Sequence, residues 1–186
     1  MSILFTAIFS GIQVIWDRQF GFLKETLVAP VPRFSIMLGK TLGGATVATI
    51  QGIIVFIIAT IAGFRPTSLA TIPVAFVCMF LIALLFTALG TAIASLFEDM
   101  QGFQIVMNFV VQPLFFLSGA LFPLNGLPKV LQVITAIDPL TYGVDSLRST
   151  LVSLSHFGLA TDLGVLVLLS LLVLSIGSYL FSKIQM

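Results

Sequence analysis

Between residues 41 and 97 only Arg65 carries a charge. The segments on either side of it each exceed the roughly 20 residues that a helix needs to cross a bilayer core. Further charge-free windows cover residues 100–128 and 163–182, and a shorter one covers residues 1–16. Of the 186 residues, 59% are hydrophobic and 8% charged, and the mean hydropathy is +1.20. Such values lie far outside the range of soluble domains. The expected fold is all-α: one polytopic transmembrane helical bundle over residues 1–186, with about five spans.

Charge position fixes the expected orientation. Arg18, Lys24, Arg33 and Lys40 cluster in one loop and Lys183 closes the chain, whereas Arg65, Lys129 and Arg148 fall on the other side. The positive-inside rule puts residues 17–40, the Glu98-Asp99 turn and the carboxyl terminus in the cytoplasm, and residues 65–71 and 122–160 outside. The expected location is a plasma or inner membrane. A net charge of +1 gives no footing for nucleic acid. Cys78 is the sole cysteine and sits in an apolar run, so it reads as a small buried residue. No basic region precedes the amino-terminal run and no clear small-residue cleavage site follows it, unlike a cleavable signal. This orientation starts Met1 at the outer face in a span of about 16 residues, short of the usual length. A missing amino-terminal portion, including a preceding span, explains that start most simply. A tilted or locally thinned span is the alternative.

One apolar stretch cannot cross. Pro123, Pro128 and Pro139 cut residues 114–148 into pieces of about a dozen residues, too short to span and expected to be re-entrant. Broken backbone is tolerated at membrane depth only where protein or a water-filled cavity covers it. Asp138 before Pro139 is an N-cap followed by N1, a helix start where the chain must reverse. Two short external helices joined there are expected within residues 122–151. Asp145 and Arg148 lie three apart and are positioned to pair.

Residues 16–33 read WDRQFGFLKETLVAPVPR. Phe20, Leu23 and Leu27 share one helical stripe, Arg18 and Glu25 the opposite side, and Pro30 with Pro32 ends the helix. Phe22 falls off the apolar stripe. An interfacial helix bounded by Trp16 would account for this pattern. So would an aromatic knob that enters a groove on a soluble partner.

Three motifs carry a resemblance: this segment, LSGALFPL at residues 117–124, and IDPLTYGVDSLR at residues 137–148. Over residues 16–150 the chain resembles the membrane subunits of ATP-binding-cassette exporters, the type-2 permeases of the daunorubicin-resistance and polysaccharide-export kind. The resemblance implies a coupling helix at residues 17–33 that docks on an ATPase subunit. Its contact residues would be Arg18, Phe20, Phe22, Leu23, Lys24 and Glu25, with Glu98 and Asp99 as a second contact or a solvated cap. It implies a gate of external helices carrying Asp138, Pro139, Tyr142, Asp145 and Arg148. It also implies pairing of permease chains, as homodimer or heterodimer. Members usually have six spans and an amino-terminal amphipathic helix; that helix, the first span and part of the second are not matched here.

Gln101, Gln104, Asn108 and Gln112 fall within about 80 degrees around a helix, and Phe115 and Gly119 extend the stripe. An unsatisfied polar group in lipid costs several kcal/mol, against about 0.6–2 kcal/mol from an interhelical hydrogen bond. Avoiding that cost turns the stripe toward protein or water, as a translocation path, a dimer seam or helix glue. A wall of amides and an aromatic suits an amphipathic cargo. Gly39 and Gly43 form G-x-x-x-G, and Gly44, Ala48 and Gly52 repeat small residues every four. Either set permits close helix approach, within the subunit or across a dimer. Gln51 in the same span is expected to bond a neighbouring helix.

No G-x-x-x-x-G-K-[ST] loop is present, so any ATP and its magnesium would be bound by a partner. An enzyme reading finds little footing. The only histidine, His156, lies in the external loop, and Phe116 stands where a nucleophile motif around Ser118 needs glycine. No cofactor, metal site or catalytic residue is expected. The two functions left are an exporter subunit for a drug, lipid, glycan or other amphipathic cargo, and a membrane assembly subunit without transport of its own.

Overall fold

The computed structural model describes residues 1–22, 31–121 and 129–182, the side chains of 129–131 and 182 excepted. Every regular element among them is helical. In order these are α1 (Ser2–Phe9), α2 (Ile12–Gln19), α3 (Arg33–Ile61), α4 (Ile72–Ala94, entered through a 3₁₀ turn at Leu69–Thr71), α5 (Met100–Leu117), α6 (Lys129–Ile137), α7 (Pro139–Val152) and α8 (Leu159–Ser182). Among the described residues four stretches are long and apolar enough to cross a membrane: Arg33–Ile61, Leu69–Ala94, Met100–Leu117 and Leu159–Phe181. The chain is thus a polytopic helical membrane protein. Within the 100–128 window, α5 ends at Leu117. Ser118 there turns its hydroxyl back to the Phe115 carbonyl (2.8 Å), and Gly119 takes a φ of +72°.

Helix α4 is the centre. Its many small residues, among them Ala83, Ala88, Gly90 and Ala92, are buried, and α1, α3, α7 and α8 all pack on it. The closest approach is at Gly90. A Cβ there would run into the Ile8 carbonyl oxygen and lie 2.9 Å from its carbonyl carbon, and a Cβ on Gly11 would lie 2.5 Å from the Gly90 carbonyl oxygen. Backbone meets backbone, so neither side can give. The chain bends here, between α1 and α2, with the Ser10 hydroxyl on the Ala7 carbonyl at 2.6 Å.

Helix α3 faces this core with the Gly44, Ala48 and Gly52 stripe. A Cβ on Gly44 would meet Ser10 Oγ at 2.5 Å, and one on Gly52 would meet Ile3 Cδ1 at 2.6 Å. The other small pair behaves differently: Gly39 and Gly43 face open space, with nothing within 4 Å of a Cβ. The close helix approach in α3 therefore uses the 44/48/52 stripe, and Gln51 points out of the bundle.

Helix α8 runs alongside α4 in the same direction, Asp162 near Cys78 and Gly177 against Ala92. Helix α7 runs opposite to α4. Thr71 donates to the Thr150 carbonyl (2.6 Å), while a Cβ on Gly143 would touch Ile82 Cγ1 at 2.8 Å. Thr71 to Ile82 is a rise of about 16 Å, and Thr150 back to Gly143 about 10 Å. The start of α7 therefore lies deeper in the bundle than its end. Asp138, five residues before Gly143, sits deeper still, as a re-entrant hairpin requires.

Gly90→Ala should destabilise the fold by about 1–3 kcal/mol through overpacking against an immovable carbonyl. Gly43→Ala, in open space within a helix, should gain about 0.5–1 kcal/mol. Thermal unfolding of the two variants in the same detergent checks the opposite signs.

Candidate functional site

At the basic end, the last turn of α2 is bolted to the turn between α4 and α5. Arg18 Nη2 reaches Glu98 Oε1 at 2.7 Å, Arg18 Nη1 donates to the Phe97 carbonyl at 3.4 Å, and Gln19 Nε2 donates to the Glu98 carbonyl at 3.0 Å. Trp16 Nε1 donates to Met100 Sδ at 2.8 Å, and Lys40 of α3 pairs with Asp17. Asp99 caps α5, its carboxylate taking the Gly102 N–H at 2.5 Å. Glu98 is thus an ion-pair partner of Arg18 and Asp99 a helix cap, and both stay exposed.

The expected single helix from residue 16 onward is interrupted. Gly21 at φ +83° ends α2 after Gln19, so Arg18 belongs to α2 rather than to the loop. A left-handed residue at that position closes a helix end, which glycine does without strain. Helical backbone resumes at Phe22. Phe20 and Phe22 both project outward, 72% and 59% exposed. Leu23, Lys24, Glu25 and Leu27 lie outside the described residues.

The amides of α5 turn out of the chain. Gln101, Gln104, Asn108 and Gln112 are all exposed, whereas Phe103, Met107, Val111 and Phe115 face the core. Phe115, expected on the amide stripe, lies on the buried side with Gly119. The helix turns by 100° per residue, so 115 continues the 103-107-111 row as readily as the amide row. Its place beside the amides is filled by Ile105, Phe109 and Phe116, all exposed. Pro113 sits on this same helix and offers no N–H to the Phe109 carbonyl, leaving one more polar group there. Beside the stripe a groove of about 480 Å³ opens between α1–α2, α3 and α5, lined by Ser10, Gln13, Trp16, Gly43 and Gln104 among others. Gly43 keeps that groove open, a role its spacing did not disclose. Gln13, exposed at its wall, was not singled out either.

At the opposite end α7 is clasped on three sides. Thr67 N–H and Thr71 Oγ1 donate to the carbonyls of Leu151 and Thr150, at 3.0 and 2.6 Å. Arg148 Nη2 donates to the Gly119 carbonyl at 3.1 Å. Asp145 accepts the His156 N–H (2.9 and 3.0 Å to its two oxygens) and the Phe157 N–H (2.8 Å). The expected Asp145–Arg148 pair is therefore replaced by backbone partners. A carbonyl freed at the end of α5 and amides in the 153–158 loop offer each charge a fixed bond that two neighbouring side chains do not. Asp138 and Pro139 do start α7: Asp138 Oδ1 takes the Leu140 N–H at 2.8 Å. Tyr142 donates from its hydroxyl to the Ala136 carbonyl (2.7 Å), tying α7 to α6, and its ring lies 5.1 Å from that of Phe157.

The fold and these polar positions define a multi-span helical membrane protein with a cluster of charged contacts at one end and the short helices α6 and α7 towards the other. The family model of the ABC-2 type transporter matches residues 1–152, and the chain belongs to that family. It is 29% identical to ycf38 of Cyanophora paradoxa, a chain named as a transport permease, over 94% of its own length and 64% of that relative. It is 32% identical to nodulation protein J of Rhizobium meliloti over 67% of its length and 47% of the relative. Against the inner membrane transport permease YadH of Escherichia coli the identity is 29%, over 78% and 56%. The chain thus spans about half to two thirds of the length of these relatives.

Asp138→Ala should lose the α7 cap at a cost of about 1 kcal/mol, whereas Asp138→Asn, an equally good cap, should retain it. Breaking the Arg18–Glu98 pair with Glu98→Gln should cost under about 1 kcal/mol, because exposed ion pairs contribute little. Unfolding midpoints of the three variants check the ranking.

Proposed function

We propose that this chain is the membrane-spanning subunit of an ATP-driven exporter, with the amide face of α5 lining the cargo path between two permease chains. The observation that carries this reading is the exposure of Gln101, Gln104, Asn108 and Gln112 on a helix apolar enough to span. Amides facing lipid would each cost several kcal/mol, so protein or water must cover them. A path between two chains supplies both. Exposed aromatics beside the amides suit an amphipathic cargo such as a drug, lipid or glycan.

The energy would come from a separate ATPase subunit, which binds the ATP and magnesium and docks at the basic end. Phe20 and Phe22 are the exposed anchors there, and the Arg18–Glu98 link carries a push on the loop directly into α2, α4 and α5. The positive-inside rule puts this end and the carboxyl terminus in the cytoplasm of a plasma or inner membrane. The α6–α7 hairpin then closes the outer side of the path.

The test is reconstitution of the chain with its ATPase subunit in vesicles, following ATP hydrolysis and efflux of fluorescent amphipathic dyes and a fluorescent phospholipid. Phe22→Ala should weaken assembly and lower ATPase stimulation. Asn108→Leu with Gln112→Leu should leave assembly intact and lower efflux. Normal assembly and stimulation in Phe22→Ala would contradict the docking role, and unchanged efflux in the double variant would contradict the path.

A further inference from the structure

At the Arg65 end of the bundle a cavity of about 280 Å³ opens between α1, α3, α4 and α7, its wall including Ile3, Gly52, Val55, Ala59, Met79 and Leu151. Gly52 forms the floor, where a Cβ would lie 3.6 Å from Met79 Sδ. Ala59 stands seven residues, or about 10 Å, further along α3. That length fits within the roughly 15 Å of hydrocarbon in one leaflet. Val55, 40% exposed, leaves the wall open on the outside of the bundle.

The lining selects the occupant. Ser2 brings the one side-chain hydroxyl, whereas a buried water needs two to four polar partners. Left empty, the lining side chains would forfeit their dispersion contacts. An apolar occupant remains. A cavity of about 150 Å³ takes benzene, so this one has room for roughly a dozen carbons, a good part of a fatty acyl chain.

The rim is charged. Helix α3 ends in a Schellman closure: Gly63, at φ +107°, donates to the Thr60 carbonyl at 3.1 Å, and the Phe64 N–H reaches the Ala59 carbonyl at 2.9 Å. Two residues beyond Arg65, the Thr67 N–H donates to the Leu151 carbonyl at 3.0 Å. Ala59, Phe64 and Leu151 all line the cavity. Arg65 is therefore held at its mouth, between the α3 wall and the α7 wall. It is exposed, and among the described residues it pairs with no carboxylate. Asp145 is turned to the His156 and Phe157 amides and Asp138 to that of Leu140.

We propose that this cavity binds a phospholipid, with one acyl chain between α1, α3, α4 and α7 and the phosphate on the Arg65 guanidinium. Bilayer lipid is as apolar as the cavity, so the chain alone gains little by entering. The phosphate, which matches the guanidinium fork, supplies the preference. Another apolar helix would fill the space but leave Arg65 without an anion. A head group of net negative charge, as in phosphatidylglycerol, complements it best. This inference does not rest on the transport reading, and the α5 amides have no part in the cavity wall.

The test uses the full chain in phosphatidylcholine nanodiscs that carry, at equal mole fraction, either phosphatidylglycerol or diacylglycerol with a diazirine near the end of one acyl chain. Irradiation is followed by peptide mass spectrometry. Met79 is the reporter, because it is 5% exposed and lies at the cavity floor, out of reach of lipid around the bundle. Phosphatidylglycerol should mark Met79 in the wild type severalfold more than diacylglycerol does. Arg65→Gln should bring the two lipids level. Ala59→Trp should remove the Met79 mark while that on exposed Ile58 persists. Should Ala59→Trp fail to fold, Arg65→Gln, a change at an exposed position, decides alone. No mark on Met79, as when another helix fills the space, would overturn the proposal. So would equal marking by the two lipids in the wild type, or an Arg65→Gln pattern identical to it.

Discussion

The contact between Gly90 and the Ile8–Gly11 backbone sets the spacing on which the rest of the bundle depends. With no Cβ on either glycine, α4 and the α1–α2 bend touch backbone to backbone. In a bilayer, helices gain little from apolar contact alone because lipid is equally apolar, so close packing of small residues has to supply the attraction. Helix α3 adds to this with Gly44, Ala48 and Gly52. The core that results is held by the smallest residues, with Phe86, Phe103 and Phe181 filling the space around them.

Polar groups obey the complementary rule. The charged contacts gather at the two ends: Arg18, Glu98, Lys40 and Asp17 at one, Arg148 with the Gly119 carbonyl at the other. Within the bundle several threonine and serine hydroxyls are returned to carbonyls of their own helix, as Ser170 does to Leu166 at 2.7 Å, while the buried hydroxyls of Thr41, Thr87 and Thr141 have no partner among the described residues. The α5 amides break this pattern, being neither at an end nor turned inward. Their exposure on one chain is the reason to look for a second surface against them, and it connects the packing of the fold to its proposed work.

Much of this was legible in the sequence where the determining chemistry is local. Charge-free windows gave the long helices, and the Asp138-Pro139 pair gave the start of α7, because an N-cap needs only its own next residues. Features decided by distant partners were not legible. Arg148 is three residues from Asp145, but the carbonyl that wins it lies at Gly119, where α5 ends. Two small-residue stripes in α3 share the same spacing, and only the position of α4 tells which one packs. Asp162 stood at the edge of an apolar window and read as its boundary; its burial follows from α7 folding back beside it. Phe115 shows the same limit on a single helix, since amide and core rows overlap there and packing chooses between them.

The central claim is that the amide face of α5 meets protein or water rather than lipid. Single cysteines at Asn108, Val77 and Leu168 in a Cys78→Ala background, each exposed in the isolated chain, test it in native membranes by oxidative cross-linking and by a lipid-phase thiol probe. The account predicts a cross-linked dimer and weak lipid-phase labelling at Asn108→Cys, with strong labelling and no dimer at Val77→Cys and Leu168→Cys. Lipid-phase labelling of Asn108→Cys equal to that of Leu168→Cys, with no cross-linked product, would contradict it.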